Sequence, residues 1–341
     1  MKKVIALGIV IGLGAFILLS CTASEIRTVK IEMKAKSPNM ERIKANLTKA
    51  EAVYPNDPEV YHLWGRYYAT MDEYAEMDKS LKKSDELSDK FTPANDTLRM
   101  IEWDGLYKEA IETYKKLDYE ATLKHMKDAI TCWPKQYEPF LYGADCAYRL
   151  GYNEEAYNLS KQAHQIVPDT LRVLQQYADM CLINEKYDEA LGAYEISKAK
   201  DPTNAITLFS ISEIYLVKGD TVKALEYSED ALKIDKEYAE GWLNISKLYF
   251  LIKEYCKSAD AYEHYLGLIK EAPLRDDQFL YVLSVFQCGD YDKAKTVLEK
   301  LTMDYPDYCE GWQLLANTYA RLKMKKEALD ANLKYDECLK K

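Results

Sequence analysis

The chain has 341 residues and a net charge of −10, from 46 basic and 56 acidic residues. Its 13 Gly and 10 Pro, set against 48% apolar positions, exclude collagen, low-complexity disorder and a turn-rich all-β protein. The acidic balance also argues against nucleic acid as a partner, because phosphate binding requires a surplus of Lys and Arg on one face. The composition therefore predicts a helical globular protein whose partner is basic or neutral.

The first 20 residues have the pattern of a secretory leader. Met1, Lys2 and Lys3 form a positive start, and the sixteen residues from Val4 to Leu19 carry no charge. This apolar run is shorter than the roughly 20 residues that a helix needs to span a bilayer, so a plain signal anchor is the weaker alternative. We therefore expect residues 1–20 to be a signal peptide and not part of the fold.

The leader ends in Leu18-Leu19-Ser20-Cys21, which resembles the lipobox of bacterial lipoproteins. The resemblance implies cleavage before Cys21, lipidation of the Cys21 thiol and a chain held on a membrane by more than one acyl chain, which makes lipid attachment stable. We expect residues 21–39 to comprise this lipidated Cys21 and a tether to the folded part. The expected location is the bacterial cell envelope, with the outer membrane favoured and its periplasmic or surface face left open.

Downstream of the leader the sequence repeats with a period of 34 residues. The ranges 137–170, 171–204, 205–238 and 239–272 align without a gap. Large apolar residues stand fourth in these ranges, namely Phe140, Leu174, Leu208 and Trp242. Small residues stand eighth, namely Ala144, Ala178, Ser212 and Ser246, and again twentieth, namely Ala156, Ala190, Ala224 and Ser258. This pattern resembles the tetratricopeptide repeat (TPR), a helix-turn-helix unit of 34 residues.

The same register extends in both directions. It covers the further ranges 58–91, 103–136, 275–308 and 309–341. Prolines fall at position thirty-two, just beyond a helix that they cannot continue, at Pro55, Pro134, Pro168, Pro202 and Pro306. Glycines fall at position fifteen, where the first helix must end in a left-handed residue, at Gly151, Gly219 and Gly289. A helix from about Met40 to Val53 is predicted to be a half repeat that caps the start.

The predicted fold class is all-α. The resemblance implies a right-handed superhelical solenoid of about eight TPR units plus the N-terminal half repeat, forming a single solenoid over 40–341 with a concave groove. Eleven extra residues, Thr92 to Glu102, interrupt the period, and eleven residues are close to three turns at 3.6 residues each. This spacing predicts an unusually long helix near Pro93 rather than a domain break.

In TPR proteins the first helix of each pair lines the groove, chiefly through positions two, five, nine and twelve. Positions five and twelve predict an apolar ladder formed by Phe209, Leu216, Leu243, Phe250, Phe279 and Phe286. Position nine predicts an acidic row formed by Asp145, Asp179 and Glu213. One hypothesis is a groove that binds a peptide with apolar and basic residues. The alternative is that the ladder belongs to the core and the acidic row is a solvated face.

The sequence gives no sign of catalysis, a cofactor or a metal site. The four histidines, at 62, 125, 164 and 264, lie in different repeats, and there is no Gly-rich phosphate loop or nucleophile elbow. We therefore predict that the protein is not an enzyme. Besides Cys21 there are seven cysteines without a Cys-x-x-Cys motif, and pairing of Cys309 with Cys338 is left open because they begin and end one helical pair.

Two functions remain possible from the sequence. The first is a membrane-tethered scaffold that holds a protein or peptide in the TPR groove, in envelope assembly or secretion. The second is a surface lipoprotein that binds glycans, because the chain has 29 Tyr and places Tyr107, Tyr114 and Tyr148 toward the predicted groove. Binding of purified protein to polysaccharide would favour the second function, and a stoichiometric protein partner would favour the first.

Overall fold

The structure is a computed structural model, and it describes residues 24–340. Within this range every regular element is helical. The chain divides between Asn184 and Glu185 into two compact units, whereas the sequence predicts one solenoid over 40–341. The division falls in the turn between the two helices of the 171–204 repeat.

The first unit is a series of helices arranged in pairs. Its helices are α1 (24–32), α2 (Met40–Val53), α3 (Pro58–Thr70), α4 (Tyr74–Leu87), α5 (Thr92–Lys115), α6 (Tyr119–Cys132), α7 (Glu138–Arg149), α8 (Asn153–Ile166) and α9 (Leu171–Ile183). A short 3₁₀ turn, Asp89–Phe91, precedes α5. Helices α3 and α4, α5 and α6, and α7 and α8 pack on each other, as the 34-residue register predicts.

The second unit has the same organisation. Its helices are α10 (Tyr187–Lys200), α11 (Ala205–Val217), α12 (Thr221–Ile234), α13 (Ala239–Leu251), α14 (Tyr255–Leu268), α15 (Arg275–Cys288), α16 (Tyr291–Asp304), α17 (Cys309–Arg321) and α18 (Lys325–Cys338). Helices α11 and α12, α13 and α14, α15 and α16, and α17 and α18 form the helix-turn-helix pairs. Each pair also packs on the next one along the chain.

Small residues at fixed positions allow the two helices of a pair to approach closely. In the 137–170 repeat, Ala144, Ala156 and Ala163 are completely buried. In the second unit serines take some of these positions and satisfy their hydroxyls internally: Ser212 Oγ donates to Ala224 O at 2.6 Å. Ser246 Oγ makes the equivalent bond to Ser258 O at 2.8 Å. The hydroxyls of Ser212 and Ser246 are thus paired, which removes most of the cost of burying them.

The turn inside each of the eight predicted repeats, from 58–91 to 309–341, uses a left-handed residue at position fifteen. The three predicted glycines, Gly151, Gly219 and Gly289, have φ angles of 82°, 81° and 94°. The other five repeats adopt the same conformation with a residue that has a side chain, namely Asp72, Leu117, Glu185, Lys253 and Lys323. The prediction for the glycines is confirmed, and the geometry of the turn is more regular than the sequence suggests.

The eleven-residue insertion lengthens one helix, as predicted. Helix α5 has 24 residues, whereas its partner α6 has 14. Pro93 lies in the first turn of α5, where its missing amide hydrogen costs nothing. The added turns therefore extend the helix without a flexible linker.

The N-terminal part of the fold differs from the prediction. Residues 24–32, expected to belong to a tether, form helix α1, and Ile26 and Val29 are buried in one cluster with Ile43 and Leu47 of α2. The tether prediction is therefore wrong for these residues, because two apolar side chains on one helical face pack on the next helix. Residues 24–57 are consequently a helical pair in the same 34-residue register, and not a half repeat. Cys21 and residues 1–20 lie outside the described residues.

Candidate binding surface

The apolar ladder combines core residues with partly exposed ones. Phe209 is only 8% exposed, and its ring centroid lies 4.9 Å from that of Tyr238. Helix α13 approaches Phe209 closely at Gly241, where an added Cβ would lie 2.3 Å from the Phe209 ring. Phe209 is therefore a core residue, as the alternative interpretation of the ladder expected.

The other five ladder residues are half-buried. They are Leu216, Leu243, Phe250, Phe279 and Phe286. Three of these pack against the buried cluster of α14 to α18, namely Leu243, Phe279 and Phe286. These side chains contribute to the core and still present part of their surface to solvent. The structure thus supports neither a fully exposed ladder nor a fully buried one.

Two of the ladder rings are held by a tyrosine of the same repeat. The Phe250 and Tyr255 ring centroids are 5.4 Å apart in an edge-to-face arrangement. Phe286 and Tyr291 repeat this arrangement at 5.3 Å. Each pair joins position twelve of the first helix to position seventeen of the second, so the exposed part of the phenylalanine ring is fixed in orientation.

A cavity of about 370 Å³ lies between α11 and α13. Its lining combines apolar and acidic groups, and it consists of Ile206, Phe209, Ser210, Glu213, Leu216, Tyr238, Glu240, Gly241 and Asn244. None of these lining residues is basic. Ile206 is 67% exposed at the surface of the cavity, and Glu213 and Glu240 are exposed carboxylates. We call this feature the acidic cavity.

The carboxylates of Glu213 and Glu240 both shift the pKa of Tyr238. Burial raises the pKa of the Tyr238 hydroxyl, and the nearby carboxylates of Glu240 and Glu213 raise it further. Their field favours a positive charge in the acidic cavity, while Leu216 and Ile206 offer an apolar contact. The cavity can therefore accept a segment that carries both an apolar and a basic side chain.

The acidic row does not present a uniform set of unpaired carboxylates. Asp145 is half-buried and accepts hydrogen bonds from Arg149 Nε at 2.9 Å and from the Tyr114 hydroxyl at 2.6 Å. The bond to Asp145, with burial, raises the pKa of Tyr114 to about 12. Asp179 is exposed in the first unit, and Glu213 belongs to the second. Glu213 lines the acidic cavity.

The acidic character of the groove positions ends at Lys247. Its Nζ lies 2.8 Å from Oδ1 of Asp277, a carboxylate that is only 9% exposed. This ion pair joins α13 to α15 and neutralises both charges. The row of carboxylates at position nine therefore does not continue into the 239–272 repeat.

The aromatic residues proposed for glycan binding are mostly covered by other rings. Tyr107 stacks on Trp103 at 5.2 Å and meets Tyr142 edge to face at 6.3 Å. Tyr114 also contacts Tyr142, at 5.4 Å. Tyr148 is the exposed member of the three candidates, with 45% of its surface accessible. A sugar ring stacks on an open aromatic face, and these contacts leave little such face at Tyr107 and Tyr114.

A buried polar network that the sequence analysis did not identify fixes the start of α5. Asn95 is completely buried; its Oδ1 lies 2.6 Å from His62 Nδ1, and its Nδ2 donates to Asp85 at 2.7 Å. Arg99 donates to the other oxygen of Asp85 at 2.9 Å and is 7% exposed. The stacking of His62 on Phe91, with centroids 5.0 Å apart, closes the site. The only sequence signal was the cluster of polar residues within the insertion.

Two disulfides reinforce the second unit. Cys309 and Cys338, whose pairing was left open, are bonded and have Cα atoms 5.6 Å apart. Cys256 and Cys288 are also bonded, with Cα atoms 4.9 Å apart, and this bond joins α14 to α15. The repeat register could have predicted the Cys256–Cys288 bond, because Cys256 stands at position eighteen of one repeat and Cys288 at position fourteen of the next. Disulfides of this kind form and persist in oxidising compartments.

The remaining cysteines of the fold, Cys132, Cys146 and Cys181, are buried. Burial raises the pKa of the Cys132 and Cys146 thiols to about 12, so neither is a reactive thiolate. Within residues 24–340, no group of three or more His, Cys, Asp and Glu side chains is placed to hold a metal ion. None of the helices in that range combines the length and apolar character that crossing a bilayer requires.

Comparison with known proteins finds no family model that matches the chain. Human protein O-mannosyl-transferase TMTC1 is 27% identical over 169 residues, which is 46% of this chain. The match covers only 18% of the length of TMTC1. The likeness is thus to a small part of a much longer protein.

Solved structures match over a larger share of the chain. Pseudomonas aeruginosa PilF has a TM-score of 0.53 and 16% identity, covering 64% of this chain and 99% of its own. A TPR protein from Parabacteroides merdae has a TM-score of 0.51 and 14% identity, covering 70% and 93%. PilW, a type IV pilus biogenesis factor, has a TM-score of 0.52 and 19% identity, covering 62% and 97%. With its paired helices in a 34-residue register, the chain has the all-α fold of tetratricopeptide repeat proteins.

Proposed function

We propose that the protein is a lipid-anchored scaffold of the cell envelope that binds a protein segment through its TPR repeats and carries out no catalysis. The observation that carries this proposal is the acidic cavity between α11 and α13, with apolar contacts from Leu216 and Ile206 and two exposed carboxylates. The complementary ligand is an apolar side chain followed or preceded by Lys or Arg. PilF and PilW share this fold, and the part that PilW plays in pilus biogenesis supports an envelope function for this chain.

Two features support export of the chain. The leader ends at Cys21 in a sequence that resembles a lipobox. The pairs Cys256–Cys288 and Cys309–Cys338 are disulfides, which are rare in a reducing cytosol. We therefore place the repeats outside the cytosol, with the lipid of Cys21 as the anchor.

Photo-crosslinking in intact cells tests the binding site. A crosslinker at Ile206 or Asn244 is expected to capture one protein partner, and the charge-reversing variant Glu213→Arg/Glu240→Arg is expected to lose at least tenfold in captured material. The matched control reverses the charge of Glu226 and Glu237, which are exposed and lie outside the acidic cavity. This control variant should leave capture unchanged. Equal capture by both variants would exclude the acidic cavity as the binding site.

Metabolic labelling with a fatty acid tests the anchor. The wild-type chain should incorporate the label and remain with membranes after a wash in high salt. The variant Cys21→Ser should incorporate none, because it has no thiol at that position. A label that persists in Cys21→Ser would show that the chain is acylated elsewhere.

A further inference from the structure

The first helical pair carries a charge opposite to that of the rest of the chain. Residues 24–53 contain seven basic and four acidic residues, a net charge of +3, whereas the whole chain has −10. Two of the basic residues are neutralised: Lys30 pairs with Glu59, and Arg42 lies 2.7 Å from Glu32. The other five are exposed, and in the part of the chain described none of them is in an ion pair. These five, which we call the basic end, are Arg27, Lys34, Lys36, Lys44 and Lys49.

The basic end is close in the sequence to the lipid attachment site. The described part of helix α1 starts at Ser24, three residues after Cys21. Three residues span at most about 11 Å, because an extended chain advances about 3.6 Å per residue. A lipid on Cys21 would therefore hold α1 near the membrane surface, with no long tether between the bilayer and the first helical pair.

The exposed surface of α1 includes an apolar residue beside the charges. Ile31 is 64% exposed and lies four residues after Arg27, so both side chains point from the same side of the helix. Surfaces that combine exposed cations with an apolar side chain bind at the boundary between headgroups and acyl chains. Lys34 and Lys36 follow in the turn between α1 and α2, where they are also exposed.

We propose that the basic end and Ile31 lie against anionic lipid headgroups beside the anchored Cys21. This inference rests on the lipid anchor of the proposed function. Cations near an anionic bilayer are attracted to it over about a Debye length, roughly 10 Å at 0.1 M salt. The three-residue connection keeps the start of α1 within a similar distance of the anchored Cys21. A lipid together with a basic surface orients the first repeat on the membrane, so that the acidic repeats after it are repelled from the same surface.

Vesicle flotation of the full chain carrying Cys21→Ser tests the surface without the lipid. This variant is expected to bind vesicles of phosphatidylglycerol and phosphatidylcholine at least tenfold more than vesicles of phosphatidylcholine alone. High salt should remove the difference, because it screens the charges. Equal binding to both kinds of vesicle would overturn the proposal.

Charge reversal within the same background identifies the residues. Adding K34E, K36E, K44E and K49E should abolish the preference for anionic vesicles. The matched control reverses four exposed lysines elsewhere, K116E, K236E, K300E and K326E, and should retain the preference although its net charge is the same. Loss of preference in both variants would show that only total charge matters, which also overturns the proposal.

Two controls distinguish a loss of vesicle binding from unfolding of the variant and from failure of the lipid anchor. Circular dichroism of each variant reports whether it folds, and the double variant K34E/K36E changes only the turn between α1 and α2 and should lose part of the preference even if the quadruple variant unfolds. Because Cys21→Ser cannot be acylated at that position, the flotation result does not depend on the lipid. Failure of fatty-acid labelling would instead remove the anchor and leave the vesicle preference intact.

Discussion

The hydroxyl of Tyr249 donates a hydrogen bond to Glu229 Oε1 at 2.7 Å, and the bond joins α13 to α12 of the preceding repeat. Tyr319 makes the same bond to Glu299 at 2.8 Å, again over a separation of twenty residues. Both bonds connect position eleven of one repeat to position twenty-five of the repeat before it. Neighbouring repeats in this unit are thus joined by a polar contact that recurs with the period of the sequence.

Removing this contact should weaken the interface between two repeats. In Tyr249→Phe the ring still packs but Glu229 loses a donor, so we expect the free energy of unfolding to fall by about 1 kcal/mol. Denaturant unfolding followed by circular dichroism measures the change. The control is Tyr255→Phe, since the Tyr255 hydroxyl makes no hydrogen bond within the part of the chain described and its ring still packs on Phe250. Equal losses in both variants would mean that the bond contributes nothing measurable.

The sequence predicted the paired helices because their signals are local and repeated. Small residues at positions eight and twenty, and Pro at position thirty-two, depend only on the spacing within one helical pair. The length of α5 followed from the number of inserted residues and the helical pitch. These features required no knowledge of how one repeat contacts another.

The features that the sequence did not predict depend on neighbouring elements. Phe209 is buried because Gly241 allows its ring to approach the next helix, and a register position alone does not report that approach. Helix α1 was missed because Ile26 and Val29 are only two apolar residues beside a leader, although counting one period back from Pro58 reaches Ser24. The network of Asn95 needed the insertion, α3 and α4 to come together.

Substitutions at position fifteen should change stability according to whether the residue in the left-handed conformation has a Cβ. Leu117 has a φ of 62° and Gly151 a φ of 82° in equivalent turns. A residue with a Cβ is strained in this conformation by roughly 1 kcal/mol, so Leu117→Gly should stabilise the protein by up to about 1 kcal/mol. Gly151→Ala should destabilise it by a similar amount, because there is space for the methyl group but the backbone is unfavourable. Thermal unfolding of the two variants measures both signs, and a loss of stability in Leu117→Gly would contradict the argument.

The half-buried His62 should make the first unit sensitive to acid. Burial lowers the pKa of His62 below its ordinary value of 6.5, and burial outweighs the opposing bond to Asn95. Above pH 6.5 neither the folded nor the unfolded chain protonates this ring, so the stability is fully present. Below pH 6.5 the unfolded chain takes up a proton that the folded chain does not, and stability falls until the lowered folded pKa is reached.

Unfolding midpoints at a series of pH values between 7.5 and 5 measure this effect. In His62→Gln the acid-dependent loss attributed to this residue should disappear, although the variant starts from a lower stability at neutral pH. His264→Gln is the control for a general effect of histidine removal, because His264 is exposed and stacks on Trp242 in the second unit. An unchanged pH dependence in His62→Gln would show that other groups cause the acid sensitivity.

The disulfide between Cys309 and Cys338 should hold the last helix in place. Helix α18 buries only Ala331 among its fourteen residues, so apolar packing contributes little to its attachment. Closing a loop with a sequence separation of 29 residues stabilises the folded state by about 3 to 4 kcal/mol in the entropic model. We therefore expect Cys309→Ser/Cys338→Ser to release α18 and increase hydrogen exchange of its amides by more than tenfold. Exchange in α11 to α13 should change little, because repeats influence chiefly their neighbours. If α18 stays protected in the variant, or exchange rises equally in α11, the disulfide is not what fixes this helix.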